Sequence, residues 1–243
     1  MDIKICQQVQ QLDLLINVPV LKAHCQTKMT CALKNMKGCI PDSEKRKFHR
    51  MGLHKPIALL NTVLKPDLTI VDAIFGDLTF EEGGNPVQMD RVLIAEDPVL
   101  LDSYAANLLG FKPEDIKYIN LACDKDVGSC DLNQAKIVEF NTPIGSTEEI
   151  ENHSSIADKL EDSYINQKAA CSACYANLIQ ALYRLDQDDK LSDLDDKIKI
   201  GQGYREQSGQ GPSVGNCTSS FNSFVKGCPP TAADIVDFLK TQF

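Results

Sequence analysis

Four cysteines in the last third of the chain constrain its fold more than any other feature, because each lies where a metal-ligating thiolate is typically found. Cys171 and Cys174 form a Cys-Ser-Ala-Cys motif that spans about one helical turn, so both thiols can reach one metal centre. Cys217 follows Val-Gly-Asn, and Cys228 lies in Lys-Gly-Cys-Pro-Pro, two settings in which a glycine allows a tight bend. The pattern therefore predicts a four-cysteine metal site.

The spacing of these cysteines favours an iron–sulfur cluster over zinc. Structural zinc sites usually present two close pairs of ligands, and only Cys171 and Cys174 form such a pair. The ten residues between Cys217 and Cys228 suit a wider cluster, and a proline directly after the last ligand is typical of bacterial ferredoxins. We therefore expect a 4Fe–4S cluster, with zinc as the alternative cofactor and buried thiols or disulfides as a third interpretation.

Composition indicates a globular protein in a reducing compartment. The chain has 243 residues, 43% of them hydrophobic, with no run long enough to span a membrane and no apolar core of a signal peptide near Met1. We expect a cytoplasmic protein with no membrane partner, in which ten cysteines serve as metal ligands or buried thiols. Cys25, Cys31, Cys39, Cys123 and Cys130 are predicted to be buried free thiols, because their spacing matches no ligand pattern.

The charge is distributed unevenly along the chain. The net charge is −9, yet residues 1–65 contain eleven basic and four acidic residues. An acidic chain disfavours nucleic acid as a partner. The basic N-terminal region is compatible with a small anionic ligand, or simply with a solvated lysine-rich surface.

The order of predicted elements indicates an α/β fold with a layered, mixed or partly parallel sheet and flanking helices. Strands are predicted over 12–20, 67–73, 87–95 and 136–140, and helices over 30–37, 54–65 and 98–109, the last with Asp97 as its N-cap. A polar stretch at 141–155 divides an α/β domain, 1–145, from a small, mainly helical four-cysteine module, 146–243. In that module we expect a long helix over 156–185, a strand near Ile198, a glycine-rich loop over 201–215 and a closing helix over 231–243.

Several separated motifs resemble the domain-of-unknown-function 362 family, whose members are often described as iron–sulfur proteins. These motifs are Ile16-Asn-Val-Pro-Val-Leu-Lys-Ala-His24, Thr30-Cys-Ala-Leu-Lys-Asn-Met-Lys-Gly38, Ile70-Val-Asp72 and Asp97-Pro-Val-Leu-Leu-Asp102. The resemblance covers roughly residues 12–125. It implies functional positions at Lys22, His24, Lys34, Asn35, Gly38, His49, His54, Asp72, Asp97 and Asp102.

The chain differs from the family pattern at its start. Family members begin with a further α/β segment before Leu12, so this chain resembles a short variant or a fragment. An exposed sheet edge would follow, and it would make a homodimer a candidate arrangement.

The family-like residues suggest an anion site next to the first strand. Lys22, His24, Lys34, Asn35 and Asp72 are the candidate ligand-binding residues, because strand ends and helix starts are where α/β proteins gather ligands. His24, Lys22 and Lys34 are also the catalytic candidates, with His24 able to move a proton near neutral pH. The alternative is a satisfied histidine beside surface lysines. A second metal site that combines His49 and His54 with His24 or Asp72 is a weaker hypothesis.

Three functions remain open at this point. The first is a redox protein that carries electrons to a partner protein or acts as an oxidoreductase component, with a cluster bound by the four cysteines. The second is a non-catalytic binding protein with a structural zinc ion. The third is a non-redox enzyme that uses the basic residues on an anionic small molecule.

Overall fold

The computed structural model describes residues 2–77, 86–141, 156–194 and 196–242. The chain divides into two compact units. The N-terminal unit comprises Met1–Phe48 and Leu53–His153, and the C-terminal unit comprises His49–Gly52 and Ser154–Phe243. The boundary predicted between residues 145 and 146, within the polar stretch, lies outside the described residues.

The N-terminal unit is a mixed sheet with helices, as the sequence predicts. Its elements are β1 (Ile16–Asn17), β2 (Val20–His24), β3 (Lys28–Thr30), α1 (Ala32–Asn35), α2 (Asp42–Met51, whose last residues belong to the C-terminal unit), α3 (His54–Val63), β4 (Leu68–Asp77), β5 (Pro86–Ala95), α4 (Pro98–Leu108) and α5 (Lys117–Cys123).

The first strand differs from its predicted bounds. β1 and β2 both pair with β4 in parallel, and Pro19 separates them because proline has no N–H for the ladder. The Pro19 carbonyl still accepts from Asp72 N at 2.8 Å, so the chain stays aligned with β4. The strand predicted over 12–20 therefore lies at 16–24, and an antiparallel turn joins β2 to β3.

Local sequence signals correctly predict the central part of this unit. Helix α3, strands β4 and β5 and helix α4 all lie within a few residues of their predicted bounds. The Asp97 carboxylate accepts from Val99 N at 2.8 Å and Leu100 N at 3.0 Å, with Pro98 at the first helical position. Gly110 follows the helix with a positive φ of 76°, the conformation that favours glycine after a helix.

One face of the sheet is buried and the other is open. Residues such as Leu21 and Val71 point into a core shared with the helices. On the opposite face Val20, Val92 and Ile94 are about half exposed. Alternation of buried and exposed positions is expected of a sheet covered on one side only.

The Asp102 carboxylate of α4 is fully buried and holds the start of α1. It accepts from Ala32 N at 2.7 Å and Leu33 N at 3.2 Å. The Cys31 thiol and the Tyr118 hydroxyl also hydrogen-bond to this carboxylate. Burial raises the pKa of Asp102 to about 7, although these hydrogen bonds act in the opposite direction.

The C-terminal unit contains a parallel sheet that the sequence predicts only in part. Its elements are α6 (Ile156–Tyr164), β6 (Ile165–Gln167), α7 (Ser172–Gln187), β7 (Ile198–Ile200), β8 (Gly209–Val214), β9 (Phe221–Val225) and α8 (Ala232–Leu239). The strands pair in parallel in the order β6-β7-β8-β9. The strand near Ile198 is β7, and α8 begins after Thr231 with the expected cap, whose hydroxyl accepts from Asp234 N.

Two predictions about this unit are wrong. The helix predicted over 156–185 is split into α6 and α7 by strand β6 and a short loop, because pairing with β7 overrides the helical propensity of this segment. The glycine-rich loop predicted over 201–215 contains strand β8, so the module is less helical than expected. Gly201 has a φ of 120°, and a Cβ there would lie 2.1 Å from Lys168 O, which explains why the turn after β7 requires glycine.

Two further expectations differ from the structure. Cys123 and Cys130 form a disulfide rather than two buried free thiols, since α5 and the turn after it bring their Cα atoms to 6.0 Å. Of the other three, Cys31 is a buried free thiol, Cys39 is free and half-buried, and Cys25 is half-buried. The strand predicted over 136–140 is extended chain without strand pairing. Across the described ranges, no helix is both long and apolar enough to cross a bilayer.

Replacing Asp102 with Asn should make the stability of the N-terminal unit less dependent on pH. The wild-type carboxyl has its pKa raised from 3.8 to about 7 by folding, so its ionisation favours the unfolded chain. Wild type should therefore lose free energy of unfolding relative to D102N as the pH rises from about 4 to about 7, by on the order of 4 kcal/mol, with no further loss above that. Urea titrations followed by circular dichroism would measure this difference. A difference that stays constant with pH would contradict the assignment.

Candidate functional site

All four predicted cysteine ligands lie at one edge of the C-terminal sheet. Cys171 lies in the loop after β6 and caps α7, and Cys174 is in the first turn of that helix. Cys217 follows β8 and Cys228 follows β9. Because the four strands are parallel, their carboxyl ends share one edge, the usual position of ligand sites in such sheets. We call this edge, formed by the loops that follow β6, β7, β8 and β9, the cysteine edge.

Hydrogen bonds hold the Cys217 and Cys228 turns side by side. Asn216 N donates to the Gly227 carbonyl at 2.9 Å, and Gly227 N donates in return to Asn216 Oδ1 at 2.9 Å. Gly215 N donates to Val225 O, also at 2.9 Å. The residues that precede each cysteine are thus paired directly, so these hydrogen bonds fix the register of the two turns.

Gly215 brings these turns close to the start of α7. Its φ is 91°, and a Cβ at this position would lie 3.8 Å from Cys174 Sγ and 3.6 Å from Gly227 O. A glycine is therefore favoured by its backbone conformation, and its missing side chain leaves room next to the Cys174 thiol.

The four thiols act on one another electrostatically. Burial, followed by the charges of Cys171, Cys228 and Cys217, raises the pKa of Cys174 to about 12. The pKa of Cys171 is also raised, first by burial and then by Cys217 and Cys228. Binding of a metal by Cys171 and Cys174 would therefore have to release their protons.

Polar groups from the loop after β7 surround the thiols. Gln202 Nε2 donates to Cys171 Sγ at 3.4 Å and to the Arg50 carbonyl at 2.8 Å. The Arg205 guanidinium hydrogen-bonds to Cys217, and this contact raises the Arg205 pKa. Arg50 and Arg205 both lower the pKa of Cys171. These positive charges would stabilise thiolates at the cysteine edge.

His49 contacts the same edge. Its Nδ1 is hydrogen-bonded to the hydroxyl of Ser172, the residue after Cys171. The sequence singled out His49 only as a candidate for a second metal site, and its position in the C-terminal unit gives it a different role as a neighbour of the cysteine loop.

The donor set fits a thiolate-bound cofactor, although the thiols as placed do not surround a single ion. Within residues 2–77, 86–141, 156–194 and 196–242, no three His, Cys, Asp or Glu side chains are positioned to hold one metal ion. Zinc–sulfur bonds of about 2.3 Å require sulfurs that are nearly in contact. Cys217 and Cys228 lie near enough to Cys171 and Cys174 to raise the pKa of both thiols.

A second candidate site is a basic cavity in the N-terminal unit. Its volume is about 370 Å³, and it contains three of the predicted residues, Lys22, Lys34 and Asn35. The remaining lining residues come from neighbouring strands, turns and the start of α2: Val18, Val20, Thr30, Lys37, Gly38 and Lys45. Four lysines around one cavity create a positive potential that suits an anion.

Hydrogen bonds orient two of the cavity side chains. Lys34 is almost completely buried, and its ammonium donates to Thr30 Oγ1 at 2.5 Å. The Asn35 amide donates to Asn17 Oδ1 at 2.7 Å, while Asn17 Nδ2 donates to Ala32 O at 2.9 Å. The start of α1, held by Asp102, therefore fixes the lysine and the amide of this cavity.

Two predicted ligand residues are not part of the cavity lining. His24 is buried, and its Nδ1 accepts from Gln26 N at 3.1 Å and Thr27 N at 3.2 Å, which assigns the proton of the neutral ring to Nε2. Asp72 is exposed and accepts from Ile74 N at 3.0 Å. Both side chains hydrogen-bond to nearby backbone, in the pattern of residues that stabilise local structure.

His54 is a half-buried residue at the start of α3. Its ring stacks on Tyr118 with centroids 6.0 Å apart. Burial, together with the charges of Lys117 and His24, lowers the pKa of His54 to about 4, so it is neutral near pH 7. Among the described residues no metal-binding group includes His54, His24 or Asp72.

Comparisons with known proteins place the similarity in the N-terminal region. A family model described as Domain of unknown function (DUF362) matches residues 1–107. The Thylakoid-associated protein sll1697 of Synechocystis sp. is 28% identical over 127 residues, which cover 47% of this chain and 38% of that protein. The chain thus matches less than half of the length of this relative. No solved structure matches.

These matches confirm the predicted resemblance to the DUF362 family for the N-terminal part of the chain. The matched residues run from the start of the chain to α4 and include the lysine cavity. The family match ends before Cys171, so it provides no information about the four cysteines.

Replacing Asn216 with Ala should loosen the cysteine edge. The change removes the acceptor for Gly227 N while leaving the thiols intact, and it should lower the free energy of unfolding of the C-terminal unit by about 1 kcal/mol. Asn216→Asp keeps an acceptor oxygen and is the matched control. Chemical unfolding of the metal-free protein would measure both. Equal stability of all three proteins would show that this hydrogen bond does not hold the turns.

Proposed function

We propose that the C-terminal unit binds an iron–sulfur cluster of the 4Fe–4S type through Cys171, Cys174, Cys217 and Cys228. The protein would then serve in electron transfer or as a component of an oxidoreductase. The observation that supports this most strongly is the position of all four cysteines at one edge of a single parallel sheet. Four thiols are the usual ligand set of such clusters.

The cluster would supply a centre that gains and loses one electron. The protein's own residues would set how readily it does so. Gln202 donates a hydrogen bond to Cys171 Sγ, and the Arg205 guanidinium lies against Cys217. Hydrogen bonds and positive charge near the sulfurs stabilise the more negative, reduced state and raise the reduction potential.

A structural zinc ion is the alternative cofactor. Four thiolates also form a common zinc donor set, and a zinc ion would stabilise the unit without any redox role. The presence of one close pair, Cys171 and Cys174, favours the larger cluster, because structural zinc sites usually present two close pairs of ligands. We also propose a reducing, cytoplasmic location, which suits free thiols such as the exposed Cys228.

Replacing Cys171 or Cys228 with Ser should abolish the cluster. Anaerobically purified wild type should be brown, absorb at about 400 nm and contain iron and sulfide, whereas either variant should lose both because a ligand is missing. Cys39→Ser is the matched control, since Cys39 is a free thiol of the other unit and its replacement should leave the iron content unchanged. Wild type with one zinc per chain and no iron would support the zinc alternative instead.

The lysine cavity favours a second function, the binding of a small anionic molecule. Lys22, Lys34, Lys37 and Lys45 line it together with the Asn35 amide and the Thr30 hydroxyl. A non-redox enzyme that acts on an anion would use this cavity. Since His24 is not among its lining residues, proton transfer by His24 is not part of this proposal.

Replacing Lys22 and Lys37 together with Gln should weaken anion binding at least about tenfold, because two positive charges leave the cavity. Pyrophosphate and citrate are suitable probes for isothermal titration calorimetry. Lys55→Gln combined with Lys65→Gln removes the same charge from the same unit outside the cavity and should have little effect. Equal loss in both double variants would mean that overall charge, rather than the cavity, binds the probe.

A further inference from the structure

The cysteine edge carries a group of exposed positive side chains. Lys168 follows β6, Arg205 lies in the turn after β7, and Lys226 follows β9. Arg50 joins them, since its carbonyl accepts from Gln202 of the same edge. Their exposure makes these cations accessible to a macromolecule.

Fewer acidic residues oppose these cations. Glu206 follows Arg205 directly, and Asp234 lies at the start of α8, where it is hydrogen-bonded to Thr231 in a helix cap. Glu161 is a third carboxylate near this edge, where it accepts from Gln167 Nε2 and from the Tyr175 hydroxyl. Four cations against three carboxylates leave the cysteine edge with one excess positive charge, within a chain whose net charge is −9.

The opposite edge of the same sheet is acidic. Helix α7 starts at the cysteine edge and runs back to the other end of the strands, where Asp186, Asp188 and Asp189 are exposed. Asp196 lies shortly before β7 at the same end. Lys190, Lys197 and Lys240 lie at this end too, so its four carboxylates exceed its cations by one.

One of the four thiols reaches the surface. Cys228 is exposed, whereas Cys171, Cys174 and Cys217 are half-buried. Lys226 lies two residues before Cys228. A protein that docked on the cations would thus lie against the most accessible part of the cysteine site.

We propose that the cysteine edge is the docking surface for an acidic one-electron carrier protein. This inference rests on the proposed iron–sulfur function and specifies its partner. The reduced carrier loses one electron and the oxidised cluster gains it, with no bond made or broken. Complementary charge would raise the association rate and orient the carrier towards Cys228.

A matched pair of charge-reversal variants tests this surface. Lys168→Glu with Lys226→Glu reverses two charges at the cysteine edge without changing a thiol or a residue that hydrogen-bonds to one. Lys190→Glu with Lys240→Glu makes the same change at the opposite edge, since Lys190 follows α7 and Lys240 follows α8. Both residues of the control pair are exposed.

Two measurements would be made on each protein at low and high ionic strength. One is the dissociation constant for a plant-type 2Fe–2S ferredoxin, an acidic low-potential carrier, by thermophoresis with both proteins oxidised. The other is the rate of cluster reduction by the reduced ferredoxin in stopped flow. Reduction by methyl viologen radical, a small cation, reports whether each variant retains a reducible cluster.

At low salt the cysteine-edge variant should bind ferredoxin at least about tenfold more weakly than wild type. Its cluster should also be reduced by ferredoxin at least about tenfold more slowly. Both differences should vanish at high salt. The opposite-edge variant should stay within about twofold of wild type. If both variants behave alike while methyl viologen still reduces the cluster, the docking surface is wrong and the cluster proposal stands. If wild type contains no iron and sulfide, the proposed function fails, and this inference fails with it.

Discussion

The parallel pairing of four short strands is the interaction on which the cysteine edge depends. Cys171 and Cys228 are remote in sequence, and only the common direction of β6, β7, β8 and β9 brings the loops that carry them together. Each strand has no more than six residues, so hydrogen bonds between the loops add to the strand pairing. The bonds that pair Asn216 with Gly227, and the bond from Gly215 N to Val225 O, are the clearest of these additions.

In the N-terminal unit, a buried carboxylate positions the residues of the lysine cavity. Asp102 is costly to bury, and the two backbone N–H groups at the start of α1 offset part of that cost. Because α1 is only one turn long, this cap determines where Lys34 and Asn35 point. The lysine cavity is thus organised from the protein interior, by a residue that does not line it.

Sequence patterns predicted the elements whose signals are local. The Asp97-Pro98 start of α4, the periodicity of α3 and the Thr231 cap of α8 each depend on a few neighbouring residues. Strand β6 was missed because Tyr164 to Ala170 contains no glycine or proline that would end a helix, and only its pairing with β7 makes it a strand. Distant pairing of this kind leaves no trace in a local window.

The candidate sites also contain some residues that the sequence reveals and others that only the fold brings into place. The four cysteines were recognisable from residue type and spacing. Gln202 and Arg205 were not, because such polar residues are common and only the fold places them against Cys171 and Cys217. Lys37 and Lys45 were counted as part of a basic region, and charge alone does not indicate which lysines face a cavity. His24 resembles a catalytic residue in sequence, yet its imidazole accepts from the turn that follows it.

The pairing of Asn216 with Gly227 has a consequence for how a cofactor would enter. Many small metal-binding domains are unfolded until their ion arrives, so that insertion and folding are one event. Here peptide groups and one side-chain amide also link the loops that carry Cys217 and Cys228, so the alignment of these loops does not depend on thiolate ligands alone. For the proposed cluster, this means that exchange of one thiolate ligand need not unfold the unit.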